Sequence, residues 1–409
     1  QESRRRRGGA CGFGGVVAMT NPVVSCGFVP LVDAAPLIIA KELGFAAQEG
    51  INLELHAQPS WSALRDKLAF GAIDAAHMLA PLPIAMSLGL SGYKTRIDVL
   101  SVLSMNGNSI GVSNALFERI QFSDVNDAEG AGKAVIAAAN GKQLRIGVPF
   151  PFSTHSELVI YWMEALGQSR GESFVLRTFP PAKMSEAIQA DEIDLFCVGE
   201  PWGNYAVQSG SAKLLIVGNA IWSFAPEKVL AARHEWIEAN PALTASLMRA
   251  VWRAARWIAS PENLLTLPDI LAREEYVGTA PELIERALTG QLRIEAQGPS
   301  MTVPRFVEFF EGAATFPWRS QAVWLAHRMA SRWGVDVHTA SETARASFRT
   351  DLYRANLSAV GAVIPGASEK IEGAIHAPKT VAAERGELLL HPDSFFDRTE
   401  FDPSKPIIA

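Results

Sequence analysis

The chain has 409 residues, of which 48% are apolar and 20% are charged, and its formal net charge at pH 7 is −6. This length and composition are sufficient for two conventional domains, each with its own hydrophobic core. The negative net charge argues against nucleic acid as the main partner, because nucleic-acid-binding domains usually carry an excess of basic residues.

The N-terminal segment combines a basic run, Arg4–Arg7, with a glycine-rich stretch, Gly8–Val17. Glycine-rich sequence matches the apolar core of a signal peptide poorly. We therefore predict that residues 1–18 form a disordered extension and that the protein starts at Met19 without an export signal. No apolar run reaches the roughly 18 residues that are needed to span a membrane.

From residue 23 onward, predicted strands and helices alternate. In chain order they are the strand Val23–Val29, the helix Ala34–Leu43, the strand Ile51–His56, the helix Trp61–Phe70, the strand Ala72–Met78 and a helix opening at Ala80-Pro81. The same order recurs about 120 residues later: the strand Leu144–Val148, the helix His155–Leu166, the strand Phe174–Thr178, the helix Ala182–Ala190, the strand Ile193–Val198 and a helix opening at Glu200-Pro201. Such alternation predicts parallel sheets that bind ligands at the carboxyl ends of their strands. Two similar halves therefore predict two lobes that face each other across a cleft.

From about Asn240, helical patterns dominate. The predicted helices are Pro241–Ile258, Leu264–Leu271, Pro281–Leu288, Val303–Glu311 and Gln321–Trp333. Helical spacing predicts that the tryptophans in or beside them belong to the core; they are Trp252, Trp257, Trp318, Trp324 and Trp333. The segment from Pro365 is rich in turn-forming residues and is predicted to lie as a strap on the surface.

Candidate ligand-binding residues lie at the predicted strand ends. Ser153 and His155 stand at a helix N-terminus, which attracts anions, although Ser153 also suits a plain helix cap. Trp61 holds the equivalent place in the first half, and its indole N–H is only a donor. Lys228 would neutralise a monoanion, so its removal should abolish binding without unfolding the protein. Glu200 either lines the cleft or serves the first turn of a helix.

Catalytic motifs are not recognised in this sequence: GxSxG, Walker, HExxH and GxGxxG in a strand-to-helix context are missing. The three cysteines (Cys11, Cys26 and Cys197) are far apart, and Cys26 and Cys197 are predicted to be buried thiols. We predict a binding protein that is not an enzyme and uses no metal or other cofactor.

Several separated motifs together resemble the nitrate- and bicarbonate-binding proteins of ABC transporters. They are GFVPLVDAAP (27–36), SW with LRDKL (60–68), DAAHMLAP (74–81), PFSTH (151–155), FCVGEPW (196–202), PEKVL (226–230) and the FFD and FDP motifs near the C-terminus (395–403). The resemblance implies an α/β type II periplasmic-binding-protein fold, with Trp61, His155 and Lys228 contacting the anion. Where the family has a glutamine in an NGQ segment, this chain has Gly107-Asn108, whose shorter amide alters the ligand geometry.

The resemblance also implies domain boundaries and a ligand. Lobe I is expected to comprise residues 19–110 and 218–409, with a helical C-terminal part and the strap, and lobe II residues 111–217. Lysine at the PEK position resembles the nitrate binders, because a cation balances a permanent monoanion, whereas bicarbonate also needs a proton acceptor. We therefore expect nitrate or nitrite.

Members of this family have two uses. We favour a cytoplasmic nitrate/nitrite sensor that controls an RNA-binding antiterminator partner, because no hydrophobic signal is recognised. The alternative is an exported, periplasmic substrate-binding component that works with an ABC permease and ATPase. Weaker alternatives are a sulfonate- or taurine-binding protein and an enzyme resembling thiamine-pyrimidine synthases, which use a cysteine-rich motif that this chain lacks.

Overall fold

The computed structural model describes residues 21–121 and 124–405, so the predicted extension at residues 1–18 lies outside the described residues. The strands in this part of the chain are β1 (Val23–Phe28), β2 (Asn52–Ala57), β3 (Ala75–Leu79), β4 (Ile97–Asn106), β5 (Asn108–Ser113), β6 (Leu144–Val148), β7 (Phe174–Thr178), β8 (Leu195–Gly199), β9 (Ala212–Val217), β10 (Pro226–Arg233), β11 (Gln291–Arg293), β12 (Ser300–Thr302), β13 (Val307–Glu308), β14 (Lys379–Ala382) and β15 (Glu387–Leu390).

The helices are α1 (Ala35–Glu42), α2 (Phe45–Gln48), α3 (Trp61–Ala69), α4 (Leu82–Leu88), α5 (Asn114–Phe117), α6 (Ala128–Ala139), α7 (Thr154–Ala165), α8 (Met184–Gln189), α9 (Trp202–Gln208), α10 (His234–Ala239), α11 (Pro241–Ile258), α12 (Leu267–Leu271), α13 (Pro281–Thr289), α14 (Arg319–Trp333), α15 (Val337–Ser347) and α16 (Thr350–Leu357). None of the helices in the described ranges combines the length and the apolar character that crossing a bilayer requires.

Two mixed sheets form the framework. The first has the strand order β13-β4-β10-β3-β1-β2, and the second has the order β7-β6-β8-β5-β9. The prediction of parallel sheets was wrong for β10 and β5, which run antiparallel to their neighbours. Each of them enters its sheet directly from the other sheet, and antiparallel pairing does not need the helical crossover that parallel strands require.

The chain passes between the two sheets at Gly107 and again between Val217 and Pro226. Asn106 and Gly107 both have left-handed backbone conformations, with φ of 59° and 85°. Glycine and asparagine adopt this conformation most readily, which explains their use where β4 turns directly into β5. The division into lobes at residues 110/111 and 217/218 remains our proposal.

Predicted and observed elements agree well where helices and strands alternate. Leu144–Val148, Phe174–Thr178 and Pro241–Ile258 are confirmed to the residue. The helix predicted at Val303–Glu311 was wrong, because Val307 pairs with β4 and Glu308 Oε1 accepts hydrogen bonds from the backbone of residues 309–311. A side chain that satisfies nearby backbone donors in this way competes with helix formation.

Most of the predicted core tryptophans are buried, namely Trp252, Trp318 and Trp324, and so are the thiols of Cys26 and Cys197. Trp333 was predicted wrongly: it is the last residue of α14, and 47% of its surface is exposed. The predicted strap includes the β14–β15 hairpin but is not wholly superficial. Phe395 is buried and stacks on Trp222, with their ring centroids 4.9 Å apart.

Candidate functional site

A buried ion-pair cluster lies where the two sheets meet. Lys228 Nζ in β10 lies 2.7 Å from Asp33 Oδ2 and 2.8 Å from Glu227 Oε1. Asp33 follows β1, and its other oxygen, Oδ1, lies 2.8 Å from Nε2 of His77 in β3. All four side chains are buried. One ammonium group is therefore shared between two carboxylates.

An irregularity in β10 explains how adjacent residues reach the same cluster. Neighbouring side chains on a regular strand point to opposite faces of the sheet. The pairing of β10 with β4 shifts in register between Pro226 and Lys228 and again between Lys228 and Val229. Such bulges redirect side chains and are common beside functional sites. Here the bulge brings both Glu227 and Lys228 to the cluster.

The second sheet contributes Asn108 and His155. Asn108 Nδ2, at the start of β5, donates a 2.7 Å hydrogen bond to Glu227 Oε2. His155 Nδ1, in the first turn of α7, lies 3.1 Å from Glu227 Oε1, but the ring is not oriented for a hydrogen bond. Further hydrogen bonds join the two sides: Val32 N donates to Glu200 O, Trp202 Nε1 to Pro30 O and Thr154 Oγ1 to Pro226 O.

Several buried polar atoms around this cluster have no hydrogen-bond partner among the described residues. They include Trp61 Nε1, both ring nitrogens of His155, Nδ1 of His77 and Asn108 Oδ1. The Trp61 ring also lies beside the ammonium group, with Lys228 Nζ 5.4 Å from the ring centroid. Buried polar groups in proteins are nearly always paired, so these unpaired atoms point to a small polar ligand. The ammonium group and the donor-only indole of Trp61 favour a ligand that offers acceptors.

The electrostatics of the cluster follow from burial and from the shared ammonium group. Burial alone would raise the pKa of Asp33, but Lys228 and His77 outweigh it and lower that pKa to about 2. Burial raises the pKa of Glu227 in spite of Lys228. It lowers the pKa of His77, and that of His155 well below the ordinary value, so both imidazoles are neutral at pH 7.

The remaining predicted site residues have structural partners. The hydroxyl of Ser153 accepts from Ser156 N and caps α7, as in the alternative interpretation. Glu200 Oε2 accepts from Asn204 N at the start of α9, and Glu200 Oε1 accepts from Ser109 Oγ. Burial raises the pKa of Glu200 to about 7. Gly107 donates to Phe306 O and accepts from Glu200 N, so it connects the crossing point to Glu200.

Asp33, Glu227 and His77 were not predicted from the sequence as members of the cluster. A signal for the first two was present, because Asp33 follows a predicted buried strand and Glu227 precedes Lys228 in the PEK motif. Polar residues at the carboxyl ends of strands are candidates for ligand sites. His77 is fully buried, and Asp33 partners one of its ring nitrogens.

Comparison with known proteins gives consistent relatives. The family model described as "NMT1-like family" matches residues 18–272. The nitrate/nitrite binding protein NrtA of Nostoc sp. is 31% identical over 395 residues, covering 93% of this chain and 83% of that protein. The nitrate import ATP-binding protein NrtC of Synechocystis sp. is 32% identical over 311 residues, covering 75% of this chain and 45% of that protein. The crystal structure of the periplasmic nitrate-binding protein NrtA from Synechocystis PCC 6803 superimposes with a TM-score of 0.80 at 28% identity, covering 93% of this chain and 95% of that chain.

Proposed function

The chain belongs to the NMT1-like family and has the periplasmic-binding-protein fold, and we propose that it is the periplasmic substrate-binding component of an ABC transporter for nitrate or nitrite. The observation that carries the proposal is the set of unpaired buried donors, Trp61 Nε1 and the His155 ring, beside the Lys228 ammonium group. Nitrate and nitrite offer only acceptors, which such donors match. Trp61, Asn108, His155 and Lys228 are the residues proposed to contact the anion.

The relatives support a transport role over the cytoplasmic sensor that the sequence analysis favoured. By name, one relative is an ATP-binding protein of nitrate import, and the crystal structure is that of a periplasmic nitrate-binding protein. We therefore propose a permease and an ATPase as the partners instead of an antiterminator. The proposed activity is binding, without catalysis.

Titration calorimetry of the purified chain with nitrate, nitrite, bicarbonate and an alkanesulfonate tests the ligand. We expect saturable binding of nitrate or nitrite, with bicarbonate much weaker, because the Lys228 ammonium group and the donor-only indole of Trp61 suit an anion that offers only acceptors. Binding of the sulfonate alone would overturn the proposal. The role is tested separately: the loaded protein should stimulate the ATPase activity of its permease–ATPase complex in membrane vesicles.

Trp61→Phe is expected to weaken nitrate binding by about 1.5–3 kcal/mol, on the order of ten- to a hundredfold in Kd, since a hydrogen bond to a charged group contributes that much. Phenylalanine keeps an aromatic ring against Lys228 but removes the indole N–H. Calorimetry gives the affinity, and denaturant unfolding gives the stability.

Trp318→Phe is the matched control. Trp318 is also buried with an unpaired Nε1, but it packs against Phe316 in the C-terminal region. The two variants should lose similar stability, while only Trp61→Phe loses affinity. Equal Kd values for Trp61→Phe and the unmodified protein would remove the indole from the site.

A further inference from the structure

We propose that this protein binds its anion together with one proton, which Glu227 takes up. This inference rests on the proposed function, since it concerns the same site. A proton on Glu227 would compensate the negative charge of the bound anion. The affinity for the anion would therefore depend on pH.

The site contains two carboxylates for one ammonium group. Lys228 Nζ already contacts two carboxylates, Asp33 at 2.7 Å and Glu227 at 2.8 Å. A monoanion that accepts from Trp61 and His155 would place a third negative group beside this single buried ammonium. Like charges a few ångströms apart in a poorly solvated site disfavour one another, so one of the three is expected to be neutralised by a proton.

Glu227 is the group that fits this role. Asp33 is held ionised by Lys228 and His77, and its pKa is about 2. Glu227 has the same ammonium group as a partner, but its other contacts are the neutral side chains of Asn108 and His155. Burial raises its pKa. The charges of Asp33 and Lys228 therefore cancel, and the carboxylate of Glu227 remains as the uncompensated negative charge.

Other titratable groups face Glu227 from each neighbouring element. They are Lys228 on its own strand, Asp33 after β1, His155 on α7 and Cys197 on β8, with His77 on β3 behind Asp33. Burial raises the pKa of the Cys197 thiol well above its ordinary value, and burial keeps both imidazoles neutral. Among these residues, Glu227 is the carboxyl group that has a raised pKa and also contacts Asn108 and His155, two of the residues proposed to bind the anion.

The proton also has a consequence for His155. Glu227 Oε1 lies 3.1 Å from Nδ1, and although the two groups form no hydrogen bond, a negative charge there favours the tautomer with its hydrogen on Nδ1. Protonation of Glu227 removes that charge and allows the tautomer with the hydrogen on Nε2. Nε2 has no partner among the described residues. Protonation of Glu227 therefore converts His155 into the donor that an oxyanion needs.

Calorimetry with nitrate between pH 6 and pH 9, in two buffers of different ionisation enthalpy at each pH, tests the inference. We expect uptake of about one proton per nitrate and a Kd that rises by up to ~tenfold per pH unit, in the window between the pKa values of Glu227 in the free and the bound protein. Equal Kd values throughout, without proton uptake, would overturn proton-linked binding and leave the proposed function standing. A lack of nitrate binding at every pH would overturn the proposed function itself.

Glu227→Gln and Glu200→Gln assign the proton. Glutamine at 227 should remove most of the pH dependence, whereas Glu200→Gln, which removes the carboxyl with a pKa of about 7, should keep it. Loss of the pH dependence in Glu200→Gln, with retention in Glu227→Gln, would overturn the assignment. If Glu227→Gln does not fold, the proton count of the unmodified protein and the profile of Glu200→Gln decide the question.

Discussion

Lys228→Met is expected to abolish nitrate binding and to lower the free energy of unfolding by about 3–5 kcal/mol, because removing one partner from a buried ion pair leaves the other charge uncompensated. Here two carboxylates, Asp33 and Glu227, would lose their shared ammonium group. From the sequence alone, we expect loss of binding without unfolding of the protein. The structure adds the second effect, since Lys228 is fully buried in the cluster. Calorimetry and urea unfolding measure the two quantities.

A triple variant, Asp33→Asn with Glu227→Gln and Lys228→Met, separates the two effects. Its cluster has no charge, so most of the lost stability should return while nitrate binding remains absent. Unchanged stability of the single variant Lys228→Met would contradict the buried ion pairs described above.

Arg332→Met is expected to lower the free energy of unfolding by about 3–5 kcal/mol for the same reason, because it removes the partner of another buried carboxylate. Arg332 in α14 forms an ion pair with Glu157 in α7, and Glu157 is fully buried. Burial already raises the pKa of Glu157. Without Arg332, the pKa of Glu157 should rise further, and the loss of stability should shrink as the pH falls from the pKa of Glu157 in the variant towards its pKa in the unmodified protein.

Arg328→Met is the matched control for Arg332→Met. Arg328 pairs with Glu164 between the same two helices, but both side chains are partly exposed. Partly exposed ion pairs contribute only about 0–1 kcal/mol. Urea unfolding at pH 5 and pH 8 compares the two variants. Equal losses of stability in the two variants would show that burial of the ion pair does not determine how much stability its removal costs.

The alternating segments were predictable because glycines and prolines mark their ends and their apolar residues follow a clear period. The capped starts of α3 and α7 were found in the same way, since Ser60 and Ser153 are typical cap residues. Strands β5 and β10 were missed as antiparallel members. Their direction depends on where the chain crosses between the sheets, which local periodicity does not contain.

Residues of the candidate site could be predicted from the sequence only where the residue type and its position in a motif are distinctive. Trp61, His155 and Lys228 were predicted to contact the ligand and lie in or beside the buried cluster, whereas Asp33 and Glu227 were not predicted, because a buried carboxylate and an exposed one look alike in sequence. The bulge that turns both Glu227 and Lys228 towards the cluster depends on pairing with β4, a strand more than a hundred residues earlier. Residues that acquire a role through such long-range pairing are beyond local pattern analysis.

The two points at which the chain crosses between the sheets lie close to the cluster. Asn108 directly follows the first crossing at Gly107, and Lys228 lies soon after the second, which ends at Pro226. In a rotation of one sheet against the other about these points, displacement grows with distance from the axis. Because the cluster lies close to these points, we expect that any rotation caused by the proposed anion displaces the outer surfaces of the two sheets more than the cluster itself.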